Sequence, residues 1–102
     1  MHMAVFTHLY LTEAGQPSRS IVVGDTTTIG RDITNDIVLE AATVSRYHAL
    51  LLSDADGLLL IDLESTNGTF VNGAPIQPDE PVRLADGDVI QVGEVVARYA
   101  AA

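Results

Sequence analysis

The sequence has no cysteine, no lysine and no tryptophan among its 102 residues. Without cysteine it can have no disulfide bond, thiol nucleophile or cysteine-ligated zinc site. That absence fits a reducing compartment, and we expect a cytoplasmic protein. All five basic residues are arginine, against 14 acidic residues, which gives a formal net charge of −9. Because so acidic a chain would repel a phosphate backbone, we expect no nucleic-acid partner.

Long apolar segments are missing too. The longest apolar runs, Ala49–Leu52 and Leu58–Ile61 among them, have the length of buried strands. A membrane-spanning helix would need about 20 such residues. The segment Met1–Phe6 has no basic region followed by an apolar run, so it does not resemble a signal peptide. We therefore expect no membrane insertion.

Short apolar or alternating runs, separated by turn residues, predict an all-β chain. No window shows the 3.6-residue period of a helix. About ten short strands at close spacing favour a sandwich of two packed sheets, forming a single domain over residues 1–102 with its core at about 4–100. The predicted strands are Val5–Thr12, Ser20–Val23, Thr26–Ile29, Ile37–Leu39, His48–Leu52, Leu58–Leu63, Thr69–Val71, a piece at Ile76, Val82–Leu84, Val89–Val92 and Val95–Tyr99.

Two of the loops between these strands contain candidate functional residues. In "IGRDITND", Arg31 ends a strand; the alternative to a recognition role is a surface ion pair with Asp32. In "TVSRYHA", Ser45 and His48 are three positions apart, and these residue types raise the hypothesis of a catalytic nucleophile and its base. No glycine-rich elbow surrounds the serine, however, and a histidine that pins a loop is commoner. The three histidines share no metal-ligand spacing, so we expect no metal and no cofactor.

A third loop, "STNGTFVNG", has Asn-Gly twice within nine residues. Asn-Gly is a strong signal for a tight turn. Ser65 and Thr66 supply hydroxyls, Asn67 supplies a side-chain amide, and Gly68 permits a backbone shape in which N–H groups point outward to hold an anion. Together with the arginines, these groups are the ingredients of a phosphate site.

Four segments in order resemble the signature of the forkhead-associated (FHA) domain family. They are "IGR" at 29–31, "VSRYH" at 44–48, "DLESTNGTFVNG" at 62–73 and "LADGDVIQVGE" at 84–94. The resemblance covers nearly the whole chain. It implies an eleven-stranded β-sandwich with recognition loops at one end. It also implies a non-catalytic module that reads phosphothreonine in partner proteins downstream of a Ser/Thr kinase.

The resemblance also implies a role for individual residues. Arg31 is expected to bind the phosphate, with Ser45, Arg46 and Thr66 as further phosphate contacts. Asn67 is expected to hold the backbone of the bound peptide.

Other residues are similar to the family's structural positions. His48 would brace the binding loop, Gly30 would permit close packing, and Gly68 would shape the turn that presents Asn67. Asn72 and Gly73 would form a second, structural turn. Thr43 stands where some members of the family have a basic residue, so the sequence predicts no preference at the third position after phosphothreonine. An FHA-like scaffold that docks a partner through its sandwich face, independently of phosphate, is the alternative.

Overall fold

The structure is a computed structural model that describes residues 7–101; the first two residues of the predicted first strand lie outside this range. Within it the chain forms eleven strands and no helix. Nothing in residues 7–101 forms a helix with the length and apolar character that a bilayer crossing requires. The strands are β1 (Thr7–Thr12), β2 (Arg19–Val23), β3 (Thr26–Gly30), β4 (Ile37–Val38), β5 (Ala49–Asp54), β6 (Gly57–Asp62), β7 (Thr69–Val71), β8 (Ala74–Pro75), β9 (Val82–Arg83), β10 (Val89–Val92) and β11 (Val95–Ala100).

The strands form two sheets. One sheet has six strands in the order β2-β1-β11-β10-β7-β8, and the other has five in the order β4-β3-β5-β6-β9. Every strand pair is antiparallel except β3 with β4. This confirms the predicted all-β sandwich of two sheets, with eleven short strands as the family resemblance implied.

Alternate residues of the strands fill the space between the sheets. In β1 Leu9 and Leu11 are buried, whereas Tyr10 between them is exposed. The alternation follows because successive side chains of a strand point to opposite faces. The buried apolar residues form one cluster: Leu9, Leu11, Val23, Ile29, Ile37, Leu39, Val44, Ala49, Leu51, Leu58, Leu60, Leu84, Ile90, Val92, Val95, Ala97 and Tyr99.

Turn chemistry sets the hairpins. Gly57 has a φ of +127° where β5 meets β6, and Gly93 has a φ of +58° between β10 and β11. Each glycine lies in the short turn of a hairpin, where its positive φ fits the turn. The strand predicted at Ile76 was misplaced. Val71 pairs directly with Ala74, so β8 begins at once after a two-residue turn and ends at Pro75.

Strand pairing brings the polar loops together at one end of the sandwich. Ala49 at the start of β5 pairs with Ile29 near the end of β3 and with Asp62 at the end of β6. In the other sheet Thr69, which begins β7, pairs with Val92, which ends β10. The segments 31–36, 39–48 and 63–68 and the turn at 93–94 therefore all lie at this end.

Candidate functional site

A shallow cleft of about 130 Å³ opens between these loops. Of the five residues predicted to bind a phosphopeptide, four line it: Arg31, Ser45, Thr66 and Asn67. The fifth, Arg46, follows Ser45 in the chain and has an exposed side chain that is not part of the lining. The other lining residues are Ala42, Thr43 and Val44.

Arg31 is held by hydrogen bonds from its backbone N–H and its Nε. Its backbone N–H donates to the Ser45 carbonyl at 3.0 Å, and its Nε donates to the Val44 carbonyl at 2.9 Å. Its two terminal nitrogens donate to no group within residues 7–101. The ion pair with Asp32 that the sequence left open is absent from the described chain. Within the described residues, the terminal donors of this cation are therefore unused.

The Asp32 carboxylate is engaged elsewhere in the same loop. It accepts hydrogen bonds from the hydroxyl and backbone N–H of Thr34 and from the Tyr47 hydroxyl. These bonds, with those of Thr34 first, lower the pKa of Asp32, and the nearby charge of Arg46 adds to the effect. A carboxylate satisfied in this way stabilises the loop without neutralising Arg31.

Ser45 connects two loops through its hydroxyl. Its Oγ accepts a hydrogen bond of 3.0 Å from the backbone N–H of Thr66. Because a hydroxyl has one proton to donate and two lone pairs, Ser45 can still donate to a ligand in the cleft.

His48 joins the same loops from inside the core. It is fully buried; its Nδ1 accepts from the backbone N–H of Ser45 at 3.0 Å, and its Nε2 lies 2.9 Å from the Gly68 carbonyl. A nitrogen that accepts carries no proton, so the proton is on Nε2, which donates to Gly68. Neither ring nitrogen is left to take a proton from the Ser45 hydroxyl.

Asp62 is a supporting residue that sequence reasoning missed. It is buried at the end of β6 and accepts from the hydroxyl and N–H of Ser65 and, at 2.7 Å, from the Thr69 hydroxyl. Ser65 Oγ in turn accepts from the Gly68 N–H at 3.0 Å. The available signal was the spacing, since an aspartate commonly bonds the backbone a few residues further along a turn.

These bonds correct one expectation. The backbone N–H groups of Thr66 and Gly68 do not point outward as an anion nest, because Ser45 and Ser65 hydroxyls accept them. Side chains, rather than this pair of amides, supply the donors of the cleft.

Asn67 is braced at one end of its amide. Its Nδ2 donates to the Thr43 carbonyl at 2.7 Å, while the Thr43 hydroxyl accepts from the Glu94 N–H at 3.0 Å. The Asn67 Oδ1 accepts no hydrogen bond from residues 7–101. Thr43, where the sequence lacks a basic residue, thus holds Asn67 in place.

Gly30 and Asn35 position the loop that contains Arg46. A Cβ at Gly30 would lie 2.1 Å from the Arg46 carbonyl oxygen, which leaves no room for a side chain. That oxygen also accepts from the Asp32 N–H at 3.1 Å and from the buried Asn35 amide at 2.7 Å. Asn35 is a second supporting residue that the sequence analysis did not identify.

The two Asn-Gly pairs have different conformations. Asn72 and Gly73 both have positive φ, +51° and +84°, as a two-residue hairpin turn requires. The Asn72 side chain bonds Asp88 and the Val89 N–H, both at 2.9 Å, and so ties this turn to β10. In the first pair only Gly68 has a positive φ, of +85°.

Comparison with known proteins identifies the same segments. The family model for the FHA domain matches residues 27–93. The FHA domain-containing protein FhaA of Mycobacterium tuberculosis is 46% identical over 72 residues, which cover 69% of this chain and 13% of FhaA. Other curated relatives are also longer: the chain spans between 7% and 51% of the length of four of them.

Solved structures share the fold over nearly the whole chain. One from a study of phosphothreonine-dependent FHA domain interactions has a TM-score of 0.82 at 35% identity, covering 93% of this chain and 95% of that one. The FhaA FHA domain in complex with the intracellular domain of Rv3910 has a TM-score of 0.80 at 36% identity, covering 91% and 98%. The matched family model and these structural neighbours show that the chain belongs to the FHA domain family.

Proposed function

We propose that this domain binds phosphothreonine-containing segments of partner proteins in Ser/Thr-kinase signalling, with the cleft at Arg31 as the phosphate site. FHA domains recognise phosphorylated motifs. A phosphothreonine has a charge of roughly −1.5 to −2 and several acceptor oxygens, so it needs convergent donors.

The observation that supports this proposal most strongly is the distribution of arginines. Three of the five are engaged with other groups and do not line the cleft: Arg19 donates to the Val38 carbonyl, Arg83 pairs with Asp54, and Arg98 lies 4.9 Å from the centre of the Tyr10 ring. The two whose terminal nitrogens contact no described partner are Arg31 and Arg46. Both are at the cleft end of a domain whose net charge is −9.

Each cleft residue then has a role. The terminal nitrogens of Arg31 and the hydroxyl of Ser45 donate to phosphate oxygens. Thr66 and Arg46 contact the phosphate at the margin of the cleft. The Asn67 Oδ1 and its remaining N–H hold the peptide backbone. His48, Asp62, Gly30 and Gly68 keep these groups at fixed separations.

The same geometry supports a binding role without catalysis. A serine nucleophile needs a base within hydrogen-bond reach of its hydroxyl. Both nitrogens of His48 are occupied by backbone groups, and the bond to Ser45 goes to its N–H. We also propose that residues 1–102 form one domain that works in the cytoplasm, where Ser/Thr kinases modify their targets.

The test is a titration of matched threonine and phosphothreonine peptides against wild type, Arg31→Ala and Arg83→Ala. Arg31→Ala should weaken phosphopeptide binding by about 1.5–3 kcal/mol, roughly ten- to hundredfold or more, because charge-assisted hydrogen bonds are lost. Arg83→Ala is the matched control, because it removes the same charge at a position away from the cleft. Arg83 lies on β9 and pairs with Leu59, near the other end of the sandwich. Equal affinity for the two peptides, or full affinity in Arg31→Ala, refutes the proposal.

A specific surface supports the second candidate, docking through the sandwich face. Four exposed apolar residues share the outer face of the six-stranded sheet: Tyr10, Val22, Val89 and Val96. The FhaA FHA domain, 36% identical, was solved in complex with a protein domain. If a partner binds here, its affinity should be insensitive to phosphate and to Arg31→Ala and should fall in Tyr10→Ala.

A further inference from the structure

The six-stranded sheet begins with the edge strand β2, which pairs with β1 on one side and with no strand of residues 7–101 on the other. This strand has five residues, whereas each of the other three edge strands, β4, β8 and β9, has two. The β8 edge also contains Pro75, which has no N–H to donate. Of the edges in the described sandwich, β2 is therefore the long one.

Strand pairing fixes which backbone groups of β2 point away from its sheet. In an antiparallel ladder, opposed residues alternate between hydrogen-bonded and non-hydrogen-bonded pairs. The Tyr99 N–H donates to the Asp88 carbonyl on the β10 side, so the backbone of the next residue, Arg98, faces β1. Arg98 opposes Tyr10, and the backbone of Tyr10 therefore bonds β11.

The same alternation continues from β1 into β2. Because Tyr10 bonds β11, the backbone of its neighbour Leu9 faces β2, where Leu9 opposes Ile21. The N–H and carbonyl groups of Ser20 and Val22 are thereby turned to the open side of β2. No hydrogen bond within the part of the chain that the structure describes uses any of these groups. An edge of this kind is a template for pairing with another strand.

The usual guards of an edge strand are missing from β2. Its sequence, RSIVV, has no proline, lysine or acidic residue. Its single charged side chain, that of Arg19, turns across to the other sheet and donates to the Val38 carbonyl at 2.8 Å. Two open cavities, of about 350 Å³ and about 220 Å³, adjoin the strand, the first beside Arg19 and the second beside Val22. The open side of β2 is thus accessible.

We propose that β2 pairs with β2 of a second copy of this chain, antiparallel, about a two-fold axis at Ile21. In that register Ser20 opposes Val22 of the second copy, and Val22 opposes Ser20 of the second copy. Each opposed pair exchanges two hydrogen bonds, so every edge-facing N–H and carbonyl of the two residues finds a partner. Among antiparallel registers confined to β2, only this one uses all of these groups.

The side chains of β2 also suit a second copy. Ile21 lies opposite Ile21 across the axis, and Arg19 lies opposite Val23, so no like charges oppose each other. Because β2 has no acidic residue in a domain of net charge −9, two copies can meet along it without opposed carboxylates. The two strands run in opposite directions, which places the two clefts at opposite ends of the joined sheet.

Sedimentation velocity tests the association. The wild-type chain should show a monomer–dimer equilibrium between about 10 µM and about 1 mM protein, since so small a contact gives a weak dimer. Val22→Pro removes an edge-facing N–H without removing a bond to β1. It should raise the dimer dissociation constant about tenfold or more, because two of the four hydrogen bonds are lost. Val22→Thr keeps the N–H and the β-branched shape, and this matched control should stay within about threefold of wild type.

Amide hydrogen exchange in the wild-type chain tests the backbone groups directly. The amide protons of Ser20 and Val22 should exchange more slowly at the highest protein concentration than at the lowest, because they are donated only in the dimer. Arg83 supplies the control. The N–H of Leu84 donates to the Leu58 carbonyl, so the Arg83 N–H faces the open edge of β9, and its exchange should not depend on concentration.

Three outcomes overturn the proposal. The first is a chain that stays monomeric up to about 1 mM even at about 1 M salt, where the repulsion between two charges of −9 is screened. The second is a dimer in which the Ser20 and Val22 amides exchange as fast as in the monomer. The third is a dimer that is as tight in Val22→Pro as in wild type. A dimer of the second or third kind would use another surface, such as a sandwich face.

Discussion

At the scale of single residues, buried polar side chains determine the shape of the cleft. His48 joins the backbone N–H of Ser45 to the Gly68 carbonyl across two loops. Asp62 accepts three hydrogen bonds from Ser65 and Thr69. Because buried polar groups are costly when unpaired, each network specifies one arrangement of its loop. The Ser45 hydroxyl and the Asn67 amide, which line the cleft, thus depend on buried residues outside its lining.

Gly30 allows the sharpest residue-scale prediction. In Gly30→Ala the new Cβ would lie 2.1 Å from the Arg46 carbonyl oxygen and 2.8 Å from its carbon, both backbone atoms. Overpacking of this kind should lower the free energy of unfolding by about 1–3 kcal/mol. Urea unfolding measures the loss, and phosphopeptide affinity should fall with it because the displaced backbone adjoins Ser45.

Gly24→Ala is the control for this substitution. A Cβ there meets nothing within 4 Å, so the unfolding free energy should stay within about 1 kcal/mol of wild type. If Gly30→Ala proved as stable as Gly24→Ala, that result would contradict the close contact between Gly30 and the Arg46 backbone.

At the scale of elements, short strands place long loops by pairing at fixed registers. The β5 strand lies in the middle of its sheet, and Ala49 pairs there with Ile29 near the end of β3 and with Asp62 at the end of β6. At the opposite end of the same sheet, Arg83 on β9 donates to both oxygens of Asp54, which ends β5. These bonds from Arg83 are the main reason that the pKa of Asp54 is lowered to about 2.

This ion pair predicts a pH dependence of stability. A carboxyl whose pKa is lower in the folded state stabilises the fold above its unfolded pKa, here 3.8, and stops doing so as pH falls towards 2. Asp54→Asn should therefore have a lower urea midpoint than wild type at pH 6, and the difference should disappear between about pH 4 and 2.

The exposed Asp25, in the turn before β3, supplies the control. Its carboxylate accepts no hydrogen bond from residues 7–101, so Asp25→Asn should keep a urea midpoint close to that of wild type at pH 6. An Asp54→Asn difference that stayed constant down to pH 2 would contradict the role of Arg83.

At the scale of the whole molecule, a net charge of −9 surrounds a small cationic cleft. The radius of gyration is 12.7 Å. The Debye length is about 30 Å at 0.01 M salt and about 8 Å at 0.15 M. At low salt a peptide therefore experiences the charge of the entire domain, whereas at physiological salt it experiences mainly the cleft.

We therefore expect opposite salt effects for two phosphopeptides. The association rate of an acidic-flanked peptide should rise between 0.01 and 0.15 M salt, and that of a basic-flanked peptide should fall. Stopped-flow measurements at several salt concentrations distinguish the two. Fastest binding of the acidic-flanked peptide at the lowest salt would contradict the expectation.

The sequence by itself determined the architecture and the family. Period-two runs, glycine turns and the ordered segments from "IGR" to "LADGDVIQVGE" predicted an all-β FHA sandwich, because alternation and turn chemistry are local properties. It also named four of the seven residues that line the cleft: Arg31, Ser45, Thr66 and Asn67. It could not reveal Asp62 and Asn35 as supports, since their roles depend on bonds to loops that only folding brings together.

Only the tertiary structure decided how each polar group is used. The sequence predicted outward-pointing backbone amides near Gly68, but those of Thr66 and Gly68 donate to serine hydroxyls within the domain. The terminal nitrogens of Arg31, by contrast, donate to no group in residues 7–101. The Asn67–Gly68 and Asn72–Gly73 pairs, identical as dipeptides, adopt different backbones because one is braced by Thr43 and Ser65 and the other by β10. A hydrogen bond needs a partner in space, and the spatial partner of a loop residue is set by strand pairing rather than by its neighbours in the chain.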